Sequence, residues 1–111
     1  MARPAELRVS TVSATSDPWR TNLHVTPFNI GLGAVVVSGT PTYRVEHTFD
    51  DVYADNFNPA TAAWFSHTSL VSVVNANADG NYAFPIQALR LRLIAGTGDV
   101  RLAILQAGIS Q

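Results

Sequence analysis

Asn75, Asn77, Asp79 and Gly80 set oxygen donors at alternate positions ahead of a glycine, as in the first half of a calcium-binding loop. The second half does not follow. Ile86 stands where such a loop supplies its bidentate glutamate, and only one carboxylate is left among the candidates. An ordinary loop over residues 75–81 is the simpler reading, since these residue types tolerate positive φ. A second constellation joins His47 with Asp50, Asp51 and Asp55, and with His67 further on. Imidazole and carboxylate together suit zinc or iron, and a jelly roll is the scaffold of the cupin metalloenzymes. His47, however, falls in register with Tyr43, Val45 and Phe49 on one face of an alternating run, where a histidine reads first as a hydrogen-bonded core residue. The three aspartates read first as a solvated loop.

Nucleophilic chemistry finds no support. The chain has no cysteine and no Gly-x-Ser-x-Gly elbow. His67, between Ser66 and Thr68 on a strand, points away from both, because neighbouring strand residues face opposite sides. Gly31 with Gly33, and Gly96 with Gly98, are pairs too short to cradle a phosphate and read as bends. Glu46 with Asp50 or Asp51 has the residue types of a glycosidase dyad, but nothing fixes their separation. The expectation is a protein without catalytic residues, bound metal or cofactor.

The charge pattern points to contacts instead. Seven basic and eight acidic residues leave a net charge of −1, with no dense basic patch for a phosphate backbone, so nucleic acid is not an expected partner. All seven cations are arginine. Arginine is the cation favoured where charge is partly desolvated at an interface, whereas free surfaces carry strongly hydrated lysine. Only 14% of the residues are charged and 47% are apolar, a composition that suits a covered surface. Arg90, Arg92 and Arg101 read as sharing the wet face of a hairpin, either an acidic-partner surface or a charged face that blunts aggregation. Trp19 and Arg20, after Asp17 and Pro18, read as an anchor in an irregular stretch. With Arg3 and Leu7 of the N-terminal stretch they complete the expected partner-binding set.

The elements that must position these residues follow from periodicity. In residues 86–106, Leu89, Leu91 and Leu93 alternate with Arg90 and Arg92; beyond Gly96 and Gly98, Val100, Leu102 and Ile104 alternate with Arg101 and Ala103. A period of two with a glycine-rich break predicts a β-hairpin. Residues 42–49 alternate in the same way. Residues 6–12 read as a first strand or an extended arm docked on a neighbour, 23–27 as a short strand, and 29–33 as a glycine bend into the apolar strand 34–37. Residues 50–60 read as an acidic loop and 58–63 as one helical turn. Residues 64–74 read as an irregular strand that sends one ring of Trp64 and Phe65 inward and the other outward, and 82–84 as a short strand. Six to eight short strands without an ordinary helix predict an all-β fold, an antiparallel β-sandwich or jelly-roll-like barrel, with an extended N-terminal arm over 1–21 and one β domain over 22–111. At 111 residues this suffices to bury roughly 65% of the unfolded surface. No run approaches the ~20 apolar residues of a membrane helix. The opening residues lack the apolar core of a signal peptide, and with no cysteine the expectation is assembly in a cytoplasm.

Several runs carry a resemblance: Pro27-Phe28-Asn29; Ser38-Gly39-Thr40 with Thr42-Tyr43-Arg44-Val45-Glu46-His47-Thr48-Phe49-Asp50-Asp51; Asn58-Pro59-Ala60-Thr61 with Trp64-Phe65; Ala78-Asp79-Gly80-Asn81; and Ala88-Leu89-Arg90-Leu91 through Gly96-Thr97-Gly98 to Gln106-Ala107-Gly108. Over residues 23–108 the chain resembles the minor capsid proteins (decoration, cement or staple proteins) of short-tailed bacteriophages. The resemblance implies a virion location on the capsid exterior, with assembly in the bacterial cytoplasm. It implies the major capsid protein as partner, clamped subunit to subunit, and a homo-oligomer; a dimer is expected before a trimer, because a two-fold can bury a sheet edge or an apolar face. Two alternatives stand beside it: a tail- or fibre-associated β module, and a carbohydrate-binding jelly roll that stacks sugars on Trp19, Trp64 or Tyr53.

Overall fold

The computed structural model describes residues 5–10, 15–23, 25–26, 28–106 and 109–110, with 25–26 and 109–110 described by backbone alone. Among these there is no helix. The strands are β1 (Ala5–Val9), β2 (Trp19–Arg20), β3 (Val25–Thr26), β4 (Ile30–Gly39), β5 (Thr42–Thr48), β6 (Trp64–Ser66), β7 (Val73–Val74), β8 (Ala78–Tyr82), β9 (Ala88–Ala95), β10 (Gly98–Gln106) and β11 (Ile109–Ser110). They form an antiparallel β-sandwich. One sheet runs β1-β10-β4-β8; the other runs β2-β9-β5-β6, with β7 also on β5; β3 and β11 make a separate pair.

Residues 86–106 do not form a hairpin. β9 pairs with β2 and β5, whereas β10 pairs with β1 and β4, so the two alternating runs lie in different sheets. The chain makes the same crossing between β4 and β5. The spans 30–48 and 88–106 therefore form one long antiparallel ribbon, folded over at 39–42 and 95–98 to make both layers. Glycine makes that fold possible. Gly39, Gly96 and Gly98 all have positive φ, and a Cβ on any of them would strike the opposing crossing: Gly39 against Thr97, Gly96 against Thr40, Gly98 against Ser38. The Thr40 N–H donates to the Thr97 carbonyl across the corner at 2.8 Å. Register shifts at Thr42/Tyr43 and Asp99/Val100 flank the bend on either side, as bulges do where strands change direction.

Folding the ribbon over turns its two inward faces together. Tyr43, Val45, Leu89, Leu91 and Leu93 of one layer meet Ile30, Leu32, Ala34, Val100, Leu102 and Ile104 of the other, all buried, with Tyr82 and Val9 at the margins. Each leucine so buried contributes about 1.5–3 kcal/mol of transfer free energy. A side-by-side hairpin would have left this face needing another cover.

Other expectations shift with this topology. The stretch read as an arm is built into the sandwich where it is described: β1 is an edge strand of one sheet over five residue pairs, and β2 is an edge strand of the other. Gly31 and Gly33 lie inside the ten-residue β4 rather than at a bend. Residues 64–74 split into β6 and β7 with turns between, because His67 folds back on its own chain and accepts from the Ser69 and Leu70 N–H groups. The region expected as a loop at 75–81 becomes β8 from Ala78, whereas 82–84 yields no separate strand. Asn58 does close one helical turn, its carbonyl accepting from Thr61 and Ala62.

Candidate functional surfaces

Four of the seven arginines stand on the outer face of the β2-β9-β5-β6 sheet. Alternation sends Arg44 and Glu46 of β5 outward, and register sets Glu46 opposite Arg90 and Arg44 opposite Arg92 on β9. Arg20 of β2 lies opposite Ala88 on the same side. Glu46, only 4% exposed, is the centre: Oε1 accepts from Arg90 Nε at 2.7 Å, Oε2 pairs with Arg44 at 2.7 Å, and Arg92 approaches to 3.9 Å. Three guanidinium groups against one carboxylate leave a local excess of positive charge. The Nε atoms of Arg44 and Arg92 are buried with no hydrogen-bond partner among the described residues.

Aromatic side chains hold this face in place. The Arg90 guanidinium lies over the Trp64 ring at 4.0 Å, a cation–π contact, and both Arg90 and the Trp64 indole N–H donate to the Pro59 carbonyl. The loop at 50–63 is thereby drawn over the sheet, helped by the Ala63 N–H donating to Asp50 Oδ2. Tyr53 of that loop lies under Arg20 at 5.1 Å. Open clefts flank Arg20, one lined by Trp19, Asn22, Leu23 and Tyr53, the other by Asp17, Phe57 and Pro59.

A different surface lies on the other side of the same sheet. His47, buried on the inner face, is ringed by Phe49, Phe65, Tyr82 and Phe84 with ring centroids 4.9–5.9 Å away. Its Nδ1 shares a hydrogen bond of 2.8 Å with the Tyr82 hydroxyl. Burial pushes the His47 pKa down, and nearby His67 adds to the shift. Burial pushes the Tyr82 phenol well up, with the Glu46 charge contributing. His67 Nε2–H donates to the Asn81 carbonyl while Nδ1 accepts backbone N–H groups, which fixes the orientation of the ring. Phe49, Phe65 and Phe84 leave about half their surface in solvent (51%, 51% and 48%), and Phe49 lies against both of the others, forming a compact apolar cluster.

The expected partner-binding residues thus separate. Arg20, Arg90 and Arg92 share one face. Arg101 lies on the outer face of the opposite sheet, beside Arg8 and Val35, because β10 is in that sheet; the expected three-arginine face does not form. Leu7 and Trp19 pack against the core. Arg3 lies outside the described residues. Of the metal candidates, His47 and His67 belong to the aromatic cluster, and Asp50 and Asp51 serve backbone N–H groups in the covering loop. No group of three or more His, Asp or Glu comes together among the described residues. Of the calcium-type donors, Asp79 and Gly80 are strand residues paired with Gly33 and Leu32, and Asn77 Oδ1 accepts from Val36 N–H. Sequence reasoning left Arg44 and Glu46 out of the partner-binding set, did not single out Phe84, and set Phe49 with the inward residues, although Phe49 is half exposed; of Trp64 and Phe65 it did expect one ring outward. The strict alternation of 42–49 held the signal for Glu46, but its depth comes with the arginines gathered on it, Arg90 among them held against Trp64.

A scan against protein-family models finds no match for this chain, and searches of curated proteins and of solved structures find none either.

Proposed function

We propose that this protein is a non-enzymatic structural component of a bacteriophage virion, bound to the outside of the capsid and clamping neighbouring major capsid protein subunits. One observation carries the reading beyond the sequence resemblance: two contact surfaces of different chemistry occupy opposite sides of one rigid sheet. A clamp has to grip in two places, and a surface whose arginines are already oriented loses little side-chain entropy on docking. The excess positive charge at Arg44, Arg90 and Arg92 suits an acidic patch on one subunit. The cluster of Phe49, Phe65 and Phe84 suits an apolar patch on the next. The sugar-stacking alternative draws no support from Trp64, whose face is taken by Arg90, or from Trp19, which packs against the core.

The test is binding of the purified protein to emptied shells of the phage that encodes it. The expected result is saturable binding at a simple ratio to the major capsid protein, with shells more resistant to heat. Arg92→Glu and Phe84→Ser are each expected to lower occupancy with the fold retained by circular dichroism. Full occupancy by both variants would refute the two-surface clamp. Protein found on tails rather than heads would replace the reading with a tail module.

A further inference from the structure

We infer that β1 is the dimerisation strand of this protein, pairing antiparallel with β1 of a second copy about a two-fold axis at Leu7. β1 ends its sheet: it pairs with β10 on one side, over Ala5↔Ile104 to Val9↔Val100, and among the described residues no strand follows it on the other. An open edge of this kind offers a row of backbone donors and acceptors to another chain. Ala5–Val9 contains no proline, lysine or bulge to block a further strand. The two charges it does carry differ in sign and sit either side of Leu7, at Glu6 and Arg8. In a two-fold pair centred on Leu7, each Glu6 stands opposite Arg8 of the other copy, and Ala5 stands opposite Val9. Charges that would repel a strand of another sequence attract this one twice over.

The faces agree with the register. Glu6 and Arg8 are exposed on the outer face, whereas Ala5, Leu7 and Val9 turn toward the core. Pairing therefore puts both ion pairs on the outer face and joins the apolar layers of the two sandwiches beneath one eight-stranded sheet. Arg8 already forks onto Asp99 of β10, which holds its guanidinium extended on that face and keeps it charged. The edge at β8 lacks this symmetry: its Asn81 carbonyl is taken by His67, and its one charge, Asp79, has no cationic counterpart in the strand. The edges of the other sheet are strands of two or three residues.

The proposal stands apart from the capsid reading, and the full-length chain in solution tests it. Sedimentation equilibrium is expected to give a mass of two chains. Glu6→Arg, which sets an introduced guanidinium against Arg8 of the other copy at both ends of the pair, should weaken the dimer by roughly tenfold or more. Adding Arg8→Glu to that variant restores opposite charges and should recover much of the loss. The chain has no cysteine, so Leu7→Cys gives a clean second measurement. Facing residues of an antiparallel pair lie about 4.5–5.5 Å apart at Cα, within disulfide reach. Oxidised Leu7→Cys protein should run as a covalent dimer and Ser10→Cys should not. A monomer throughout the accessible concentration range, or a dimer that Leu7→Cys fails to link, would overturn the inference.

Discussion

Glu46 and His47 are consecutive residues of β5, and their side chains leave the strand on opposite sides, one into three arginines and the other into four aromatic rings. Strand alternation separates them by the thickness of one sheet. Any displacement of β5 is felt by both surfaces, so the two are mechanically one object.

Removing the Glu46 carboxylate leaves its arginines facing one another in a partly dry site. Glu46→Ala is expected to destabilise by about 3 kcal/mol, the low end for breaking a buried ion pair, because Arg44 and Arg92 keep some solvent. Glu46→Gln should cost less, since its amide oxygen still accepts from Arg90 Nε. Urea unfolding of both variants checks the order.

Arg90 and Trp64 should be energetically coupled. Lysine at position 90 keeps the charge but loses the flat stacking face and the Nε–H bond to Glu46. A double-mutant cycle of Arg90→Lys with Trp64→Leu is expected to return a coupling of about 0.5–1 kcal/mol. A cycle that closes additively would mean the stacking contributes nothing.

His47 should make the fold sensitive to mild acid. The folded environment holds its pKa below 6.5, the ordinary value it regains on unfolding. The fold thus favours the neutral ring, and this contribution is complete above the unfolded pKa and is lost as pH falls through that value toward the folded one. Stability measured by urea should decline from about pH 7 to about pH 5, and His47→Asn should flatten the profile there whatever it does to baseline stability.

Two glycines should respond in opposite directions to the same change. Gly96→Ala forces a side chain into left-handed backbone and against the Thr40 carbonyl, and is expected to cost about 2 kcal/mol or more. A Cβ at Gly33 meets nothing within 4 Å among the described residues, and Gly33→Ala should stabilise β4 by about 0.5 kcal/mol through reduced chain entropy in the unfolded state. Thermal unfolding of the pair gives the comparison.

Much of the fold is legible in the sequence as strands and little of it as pairing. The alternation of Leu89, Leu91 and Leu93 with two arginines identifies a strand with one buried face, as does that of Val100, Leu102 and Ile104. The glycines between them indicate a reversal, which a hairpin reading places within one sheet. A reversal between two sheets uses the same residues, and only the complementary crossing at Gly39 and Thr40 distinguishes them. The same gap displaces Arg101. Alternation gives its outward position correctly, but not the sheet it belongs to.

The sequence by itself determined the all-β character, which face of its main strands turns inward, and a surface whose cations are all arginine, because side-chain alternation and charge type are local properties. Tertiary structure alone decided that the two leucine-rich runs face each other across the core, that Glu46 is buried among Arg44, Arg90 and Arg92, and that β1 ends its sheet among the described residues. These depend on contacts between residues up to about ninety positions apart, such as Arg8 with Asp99. A period of two says which way a side chain points and carries no information about the strand that comes to lie beside it.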